Sequence, residues 1–170
     1  MLEIIRKRRS IRSYLSRPVE DEKISELLRA AMCSPTARGL RPWEFVVVKD
    51  PSTLKALSES TPFSSFVKEA PAAIVICFDA LKGKRFKEDC SIAAAFIYLE
   101  AVNQGLGTCY VQISDAAGRH GEAEAYVKTV LGIPEHVRVQ CLMPIGYPDR
   151  TLAEHDDSRF ERSKIHFERF

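Results

Sequence analysis

No stretch of this chain is long and apolar enough to cross a bilayer; the longest hydrophobic run, Ala70–Phe78, has only the length of a strand. The basic N-terminus leads into no apolar segment of signal-peptide length, so a cytoplasmic location is expected. The five cysteines (Cys33, Cys77, Cys90, Cys109 and Cys141) are widely spaced, with no CxxC pair and no Cys/His cluster. That argues against a zinc site and a disulfide framework, and favours buried, reduced thiols. His120, His136, His155 and His166 are equally scattered. None has a carboxylate or cysteine partner at ligand spacing, so no metal and no histidine base are expected. There is no GxxxxGK[ST] loop, no GxSxG elbow and no Ser/His/Asp set. The one GxG, in Gly105–Ser114 (GLGTCYVQIS), precedes a strand, whereas a dinucleotide fingerprint lies between strand and helix. Excess charge is missing too. A net charge of +2 over 170 residues cannot make the whole surface a sleeve for nucleic acid.

What is present suits one globular domain over residues 1–170, with 45% hydrophobic and 28% charged residues. An amphipathic helix begins at Leu2–Ile5 and runs into a basic cluster, Arg6–Tyr14 (RKRRSIRSY). A second starts at Pro18–Glu22, carries Ile24, Leu27, Leu28 and Ala31 at helical spacing, and stops before Pro35. The loop Ser34–Pro42 leads to a Val-rich strand, Glu44–Lys49. Ser52–Glu59 reads as a short helix, and Phe63, Phe66 and Val67 as a helical turn packed on the core. Ala72–Phe78 is apolar throughout, hence a strand buried on both faces. Leu81–Lys87 reads as a loop.

Asp89–Gln104 is the longest predicted helix and is apolar nearly all round. It needs cover on several sides, which points to a subunit interface as well as a core. A strand at Thr108–Ile113, a helix at Glu122–Leu131 and a strand at Val137–Ile145 follow. The tail Asp156–Phe170 is polar but carries Phe160, Phe167 and Phe170, and is expected to dock, on a partner subunit for example. About four strands interleaved with four or five helices suggest an α/β-type domain.

Three segments carry possible chemistry. Guanidinium groups bind phosphate through forked, charge-assisted hydrogen bonds, and a serine hydroxyl adds a donor. In a helical or turn conformation Arg8 and Arg12 share a side, with Arg9 and Ser10 beside them. Taken alone the cluster is equally a solvated basic helix face. A nucleic-acid arm would call for interleaved aromatics that are absent. In Ser34–Trp43 (SPTARGLRPW) the small residues beside Pro35 and Gly39 allow close approach to a planar ligand, and Thr36 adds a hydroxyl; an ordinary connecting loop has the same composition. Gly105–Ser114 is the third.

These segments form an ordered set, RRSIRSY, SPTARGLRPWEFVVVKD and GLGTCYVQIS, closed by LGIPEHVRVQCLMPIGYPD and SRFERSKIHFERF. From about Ile4 to Phe170 the pattern resembles the nitroreductase-like flavoprotein family. The resemblance implies an α+β fold, with a mostly antiparallel sheet of four to five strands flanked by helices, in an intertwined homodimer. FMN would lie at the subunit interface, two sites per dimer, both lined by both subunits. Carried over, Arg8, Arg9, Ser10 and Arg12 hold the FMN phosphate and ribityl chain, joined by Arg159. Pro35, Thr36, Ala37 and Gly39 reach the flavin from the other subunit. Gln112, Ile113 and Ser114 pass along the ring, and Gly146 approaches the cofactor. Relatives often place an Asn where Gly39 stands, so backbone groups, Arg38 or Arg41 must replace its amide.

The implied activity is ping-pong: NADH or NADPH delivers hydride to the flavin, then an electron-poor small molecule such as a nitroaromatic or quinone is reduced. No protein side chain need act as a catalytic base. Flavin fragmentation, reductive dehalogenation and low-turnover flavin binding are the alternatives within the same fold.

Overall fold

The computed structural model describes residues 1–170. In chain order come α1 (Glu3–Lys7), α2 (Asp21–Met32), β1 (Trp43–Val48), α3 (Pro51–Leu57), β2 (Ala72–Asp79), α4 (Phe86–Asn103), β3 (Gly107–Thr108), β4 (Val111–Gln112), the small hairpin β5 (Ala117–Gly118) and β6 (Gly121–Glu122), α5 (Ala123–Leu131) and β7 (Val137–Gly146). The main sheet runs β1-β2-β7, with β3 and β4 both on the far edge of β7. Every pairing in it is antiparallel. The fold is therefore α+β. The interleaving of helices and strands suggested α/β, but the connections from β1 to β2 and from β2 to β7 each start and finish at the same end of the sheet. Val48 pairs with Ala73, and Asp79 with Val137, so β2 and β7 each begin beside the point where the preceding strand ends.

The period of two along β2 builds two cores. Ala72, Ile74, Ile76 and Phe78 pack with Leu27 and Ala31 of α2 and Ala93, Ala94 and Ile97 of α4. Ala73, Val75 and Cys77 pack on the other face with Leu54 and Leu57 of α3 and Val127 of α5. In β7 the register jumps between Ile76↔Cys141 and Cys77↔Val139, leaving Gln140 as an extra residue. Such a bulge re-aims a side chain. Here it turns a buried glutamine toward the β4 edge.

Several expectations are corrected. The basic segment is not helical: α1 ends at Lys7, and Ser10 bridges Thr108 in parallel, with the Ile11 N–H donating to the Thr108 carbonyl at 2.9 Å. Pairing to the sheet edge recovers backbone hydrogen bonds that a short terminal helix could not hold. The predicted strand Thr108–Ile113 is interrupted at Cys109 and Tyr110, although its two pieces keep one register along β7. Helix α4 starts at Phe86, inside the predicted loop. Cys33 is exposed, while the other four thiols are buried; all five are free. Phe63 is 85% exposed, so of the aromatic turn Val67 is buried in the core and Phe66 packs against it half-buried, while Phe63 does neither.

Helix α4 buries one stripe and leaves another open: Ile92 and Ala95 are exposed, and Phe96, Leu99 and Val102 only half-buried. The tail is held at its start, where the His155 N–H donates to the Arg6 carbonyl at 2.9 Å and Arg9 donates to the Ala153 carbonyl. Beyond it Phe160, Phe167 and Phe170 are exposed. No helix is long and apolar enough to cross a membrane.

Candidate anion and cofactor site

The extended segment Arg8–Ser13 lies along the open edge of the sheet. Residues from the stretch after β7 and the tail face it, enclosing a cavity of about 410 Å³ lined by Arg8, Arg9, Ser10, Arg12, Arg150 and Arg159 among others. All five residues expected to grip a phosphate are thus brought together, from opposite ends of the chain. Their common wall is a strand edge, not a helix face. The acids nearby are engaged: Asp149 accepts from Ser13, and Asp156 accepts the Ser158 N–H at 3.0 Å. The cavity is left with cationic donors facing each other, an arrangement that repels itself until an anion enters.

Behind the arginines runs a polar network. The Tyr98 hydroxyl, projecting from α4, accepts the Tyr110 N–H at 2.8 Å and bonds Ser10 Oγ at 3.2 Å, while the Arg8 guanidinium lies over its ring, 5.3 Å from the centroid. Gln140 on the β7 bulge donates to the Tyr110 hydroxyl at 2.7 Å and accepts from Ser114 Oγ at 3.0 Å. Gln112 Nε2 in turn donates to Ser114 Oγ at 2.8 Å and to the Ser114 carbonyl at 2.7 Å. Burial pushes the Tyr98 phenol above its ordinary value and the Tyr110 phenol to about 12, so both stay protonated and can donate. Tyr98→Phe removes the partner of both Ser10 and the Tyr110 N–H. We expect a stability loss of about 1 kcal/mol, read by denaturant melting, together with weaker FMN binding read by flavin fluorescence. Unchanged values in both would separate Tyr98 from the site.

The remaining expected residues are placed differently. Ile113 is fully buried in the core, and its N–H donates to the Gln140 carbonyl at 3.1 Å, so neither its side chain nor its amide is open to a ligand. Ser114 is buried in the network, whereas Gln112 is exposed at the edge. A Cβ on Gly146 would stand 2.8 Å from both Tyr14 and Pro71, so close packing demands that glycine. Pro35, Thr36, Ala37 and Gly39 do not line the arginine cavity within one chain. Ala37 instead helps line a separate cavity of about 570 Å³ with Arg38, Leu40 and Ala80–Arg85. In that loop the Ala37 N–H donates to Asp89 Oδ1, the Gly39 N–H to the Thr36 carbonyl and the Arg41 N–H to Thr36 Oγ1, each at 3.0 Å. Arg38, Gly39 and Arg41 all have positive φ, of 57°, 66° and 50°. Only the glycine adopts that conformation without cost.

Tyr98, Tyr110, Gln140 and His155 were not anticipated as site residues. Gln140 carried a signal, being a polar residue set between Val139 and the apolar run Cys141–Ile145; Tyr98 was hidden in a helix that is apolar nearly all round.

Fold and cavity together define an α+β domain with an arginine-lined cavity at the open edge of an antiparallel sheet. The model of the Nitroreductase family matches residues 5–62 and 60–147, and the chain belongs to that family. It superposes on an FMN-dependent nitroreductase from Clostridium difficile R20291 with a TM-score of 0.96 and 40% identity, covering 100% of both chains. A candidate NADH dehydrogenase/NAD(P)H nitroreductase of Methanothermobacter thermautotrophicus is 38% identical over 100% of this chain and 87% of its own length. More distantly, iodotyrosine deiodinase 1 of Rattus norvegicus is 28% identical over 92% of this chain and 65% of its own.

Proposed function

We propose that the protein is an FMN-dependent oxidoreductase, driven by NADH or NADPH, that reduces electron-poor small molecules such as nitroaromatics or quinones. The observation that carries this reading is the single cavity in which Arg8, Arg9, Ser10, Arg12 and Arg159 converge. The residues fit the phosphate end of FMN: forked cationic donors, one hydroxyl and a volume suited to a phosphate and part of a ribityl chain. The buried side-chain oxygens and nitrogens without a partner point the same way. They are Thr108 Oγ1, beside Ser10 in the strand pairing, and Ser34 Oγ and Trp43 Nε1, which bracket the loop assigned to the flavin. Buried polar groups are nearly always satisfied, so three orphans at these positions favour a missing partner there.

Bound in this way, FMN supplies hydride acceptance from a nicotinamide and hydride donation to the acceptor molecule. The protein's own part is positional and electrostatic. Arg8, Arg9, Arg12 and Arg159 hold the phosphate, Ser10 is fixed by Tyr98, and the Gln112–Ser114 edge offers a rigid wall. We assign the open stripe of α4 and the exposed aromatic tail to the interface of a homodimer, in which the Pro35–Gly39 loop of one subunit serves the site of the other. The five free cysteines suit the reducing cytoplasm.

The test is direct. Purified protein should be yellow or take up FMN stoichiometrically, and rapid mixing with NADH or NADPH should bleach the flavin. A colourless protein with no FMN uptake overturns the cofactor reading; a flavin inert to both donors makes the protein a binder. A screen of the reduced protein against nitro, quinone and halogenated acceptors separates nitroreduction from the dehalogenation suggested by the deiodinase likeness.

A further inference from the structure

His155 belongs to no motif and stands half-buried in the wall of the arginine cavity. Its backbone is clamped, since its own N–H donates to the Arg6 carbonyl at 2.9 Å and the carbonyl of nearby Ala153 accepts from Arg9. Its ring is placed just as firmly: Arg8 Nη2 lies 3.1 Å from His155 Nε2. A guanidinium has donors only, so Nε2 must be the acceptor. In the anion-free state the imidazole is therefore neutral, with its proton on Nδ1.

The charges around this ring explain that state. Arg8, Arg9 and Arg12 come from the segment on the sheet edge, Asp149 and Arg150 from the stretch after β7, and Arg159 from the tail. Glu154 and Asp156 are its neighbours in the chain, and Lys7 at the end of α1 is paired with Glu3. Asp149 and Asp156 are bonded to serines. Partial desolvation and then the positive charge of Arg159, Arg8 and Arg9 hold the imidazole below its ordinary value of 6.5. An arriving dianion changes the balance. It neutralises the arginines and supplies an acceptor where a charged imidazole can donate.

We propose that His155 completes the phosphate site as a proton-coupled donor: when a phosphate monoester dianion enters, the imidazole releases Arg8, takes one proton from solvent and hydrogen-bonds a phosphate oxygen. Arg8 then turns both arms of its fork to the same ligand. This inference rests on the reading of the cavity as the seat of the FMN phosphate, and it adds that binding depends on pH through one residue of this chain. The sign follows from linkage. The bound state holds the proton and the free state does not, so affinity is highest at the acid end and falls as pH rises toward the bound-state value. The phosphate itself is a dianion only above its second ionisation, at about pH 6. The informative window lies above that.

The experiment is titration calorimetry of the deflavinated protein with FMN and with riboflavin, at pH 6.5 to 8, in pairs of non-phosphate buffers differing in ionisation enthalpy. For the native protein FMN binding should take up a fraction of a proton approaching one, and its Kd should rise with pH by up to about tenfold per unit. Riboflavin, lacking the phosphate, should show no uptake. His155→Gln keeps a neutral acceptor for Arg8 and should bind FMN without proton uptake and with a flat pH profile. FMN binding with no uptake by the native protein, or equal uptake by His155→Gln, overturns the role of His155 and leaves the cofactor reading standing. No FMN binding by the native protein overturns both.

Discussion

Arg8→Ala is expected to weaken FMN binding by about 1.5–3 kcal/mol, the range of a hydrogen bond to a charged group, or roughly 10- to 150-fold in Kd. Arg8 is singled out because its guanidinium is the most constrained of the cluster, held between the Tyr98 ring and His155 over the cavity. Little conformational entropy remains to be lost when it meets a phosphate. Its neighbours are less prepared: Arg9 is partly committed to the Ala153 carbonyl, and Arg12 lies 5.8 Å from the centroid of the Phe66 ring. Riboflavin provides the control, since losing a phosphate contact leaves its affinity unchanged. Arg8→Lys should fall between native and Ala, because a lysine keeps the charge but not the fork. Flavin fluorescence titration reads all three. An Arg8→Ala protein that retains FMN as tightly as the native one places the phosphate elsewhere.

How legible this site was depends on which physical rule governs each residue. The arginines could be found because their chemistry is local: guanidiniums around a serine suit a phosphate in whatever conformation the chain adopts. Their conformation could not. Arg6–Tyr14 has no Gly, Pro, Asn or Asp and follows a helical start, so local propensity allows helix or turn, and pairing with Thr108, far along the chain, makes it extended. The apolar strands Ala72–Asp79 and Val137–Gly146 were readable from composition. Their antiparallel pairing and the bulge at Gln140 are tertiary, set by where the intervening segments return the chain. Arg159 entered only through resemblance, since nothing in a polar tail announces a phosphate ligand. His155 escaped altogether, because its meaning arises from three arginines that are neighbours in space.

The Pro35–Gly39 loop is the other case. Its residues do not reach the arginine cavity within one chain. The resemblance assigns them to the opposite subunit's site. The strain at Arg38 and Arg41 gives a physical reason to look there: side chains held at positive φ cost stability, and such costs gather at functional positions.

The second large effect is expected at Gly107, and it links the fold to the site. Gly107 has no unusual φ, so the chain does not need glycine there for backbone freedom. It needs it for space. A Cβ at this position would lie 2.6 to 2.9 Å from three atoms of the Ile11 side chain, Cβ among them, and Ile11 cannot swing a branched Cβ aside by changing rotamer. Relief must come from the backbone: the segment Arg8–Ser13 would move off the edge of the sheet, stretching the bond from the Ile11 N–H to the Thr108 carbonyl. Gly107→Ala should therefore cost about 1–3 kcal/mol of stability, the range for overpacking a well-filled site, seen as a lower midpoint in urea. Because the displaced segment carries Arg8, Ser10 and Arg12, FMN affinity should fall in the same variant, by a larger factor than for riboflavin. Trimming the obstacle is the decisive control. Ile11→Ala in the Gly107→Ala background removes Cγ1 and Cγ2, two of the three clashing atoms, so the double variant should lose less stability and less FMN affinity than the two single variants together. Recovery of stability without recovery of FMN binding would separate the packing of Ile11 from the placing of the arginines.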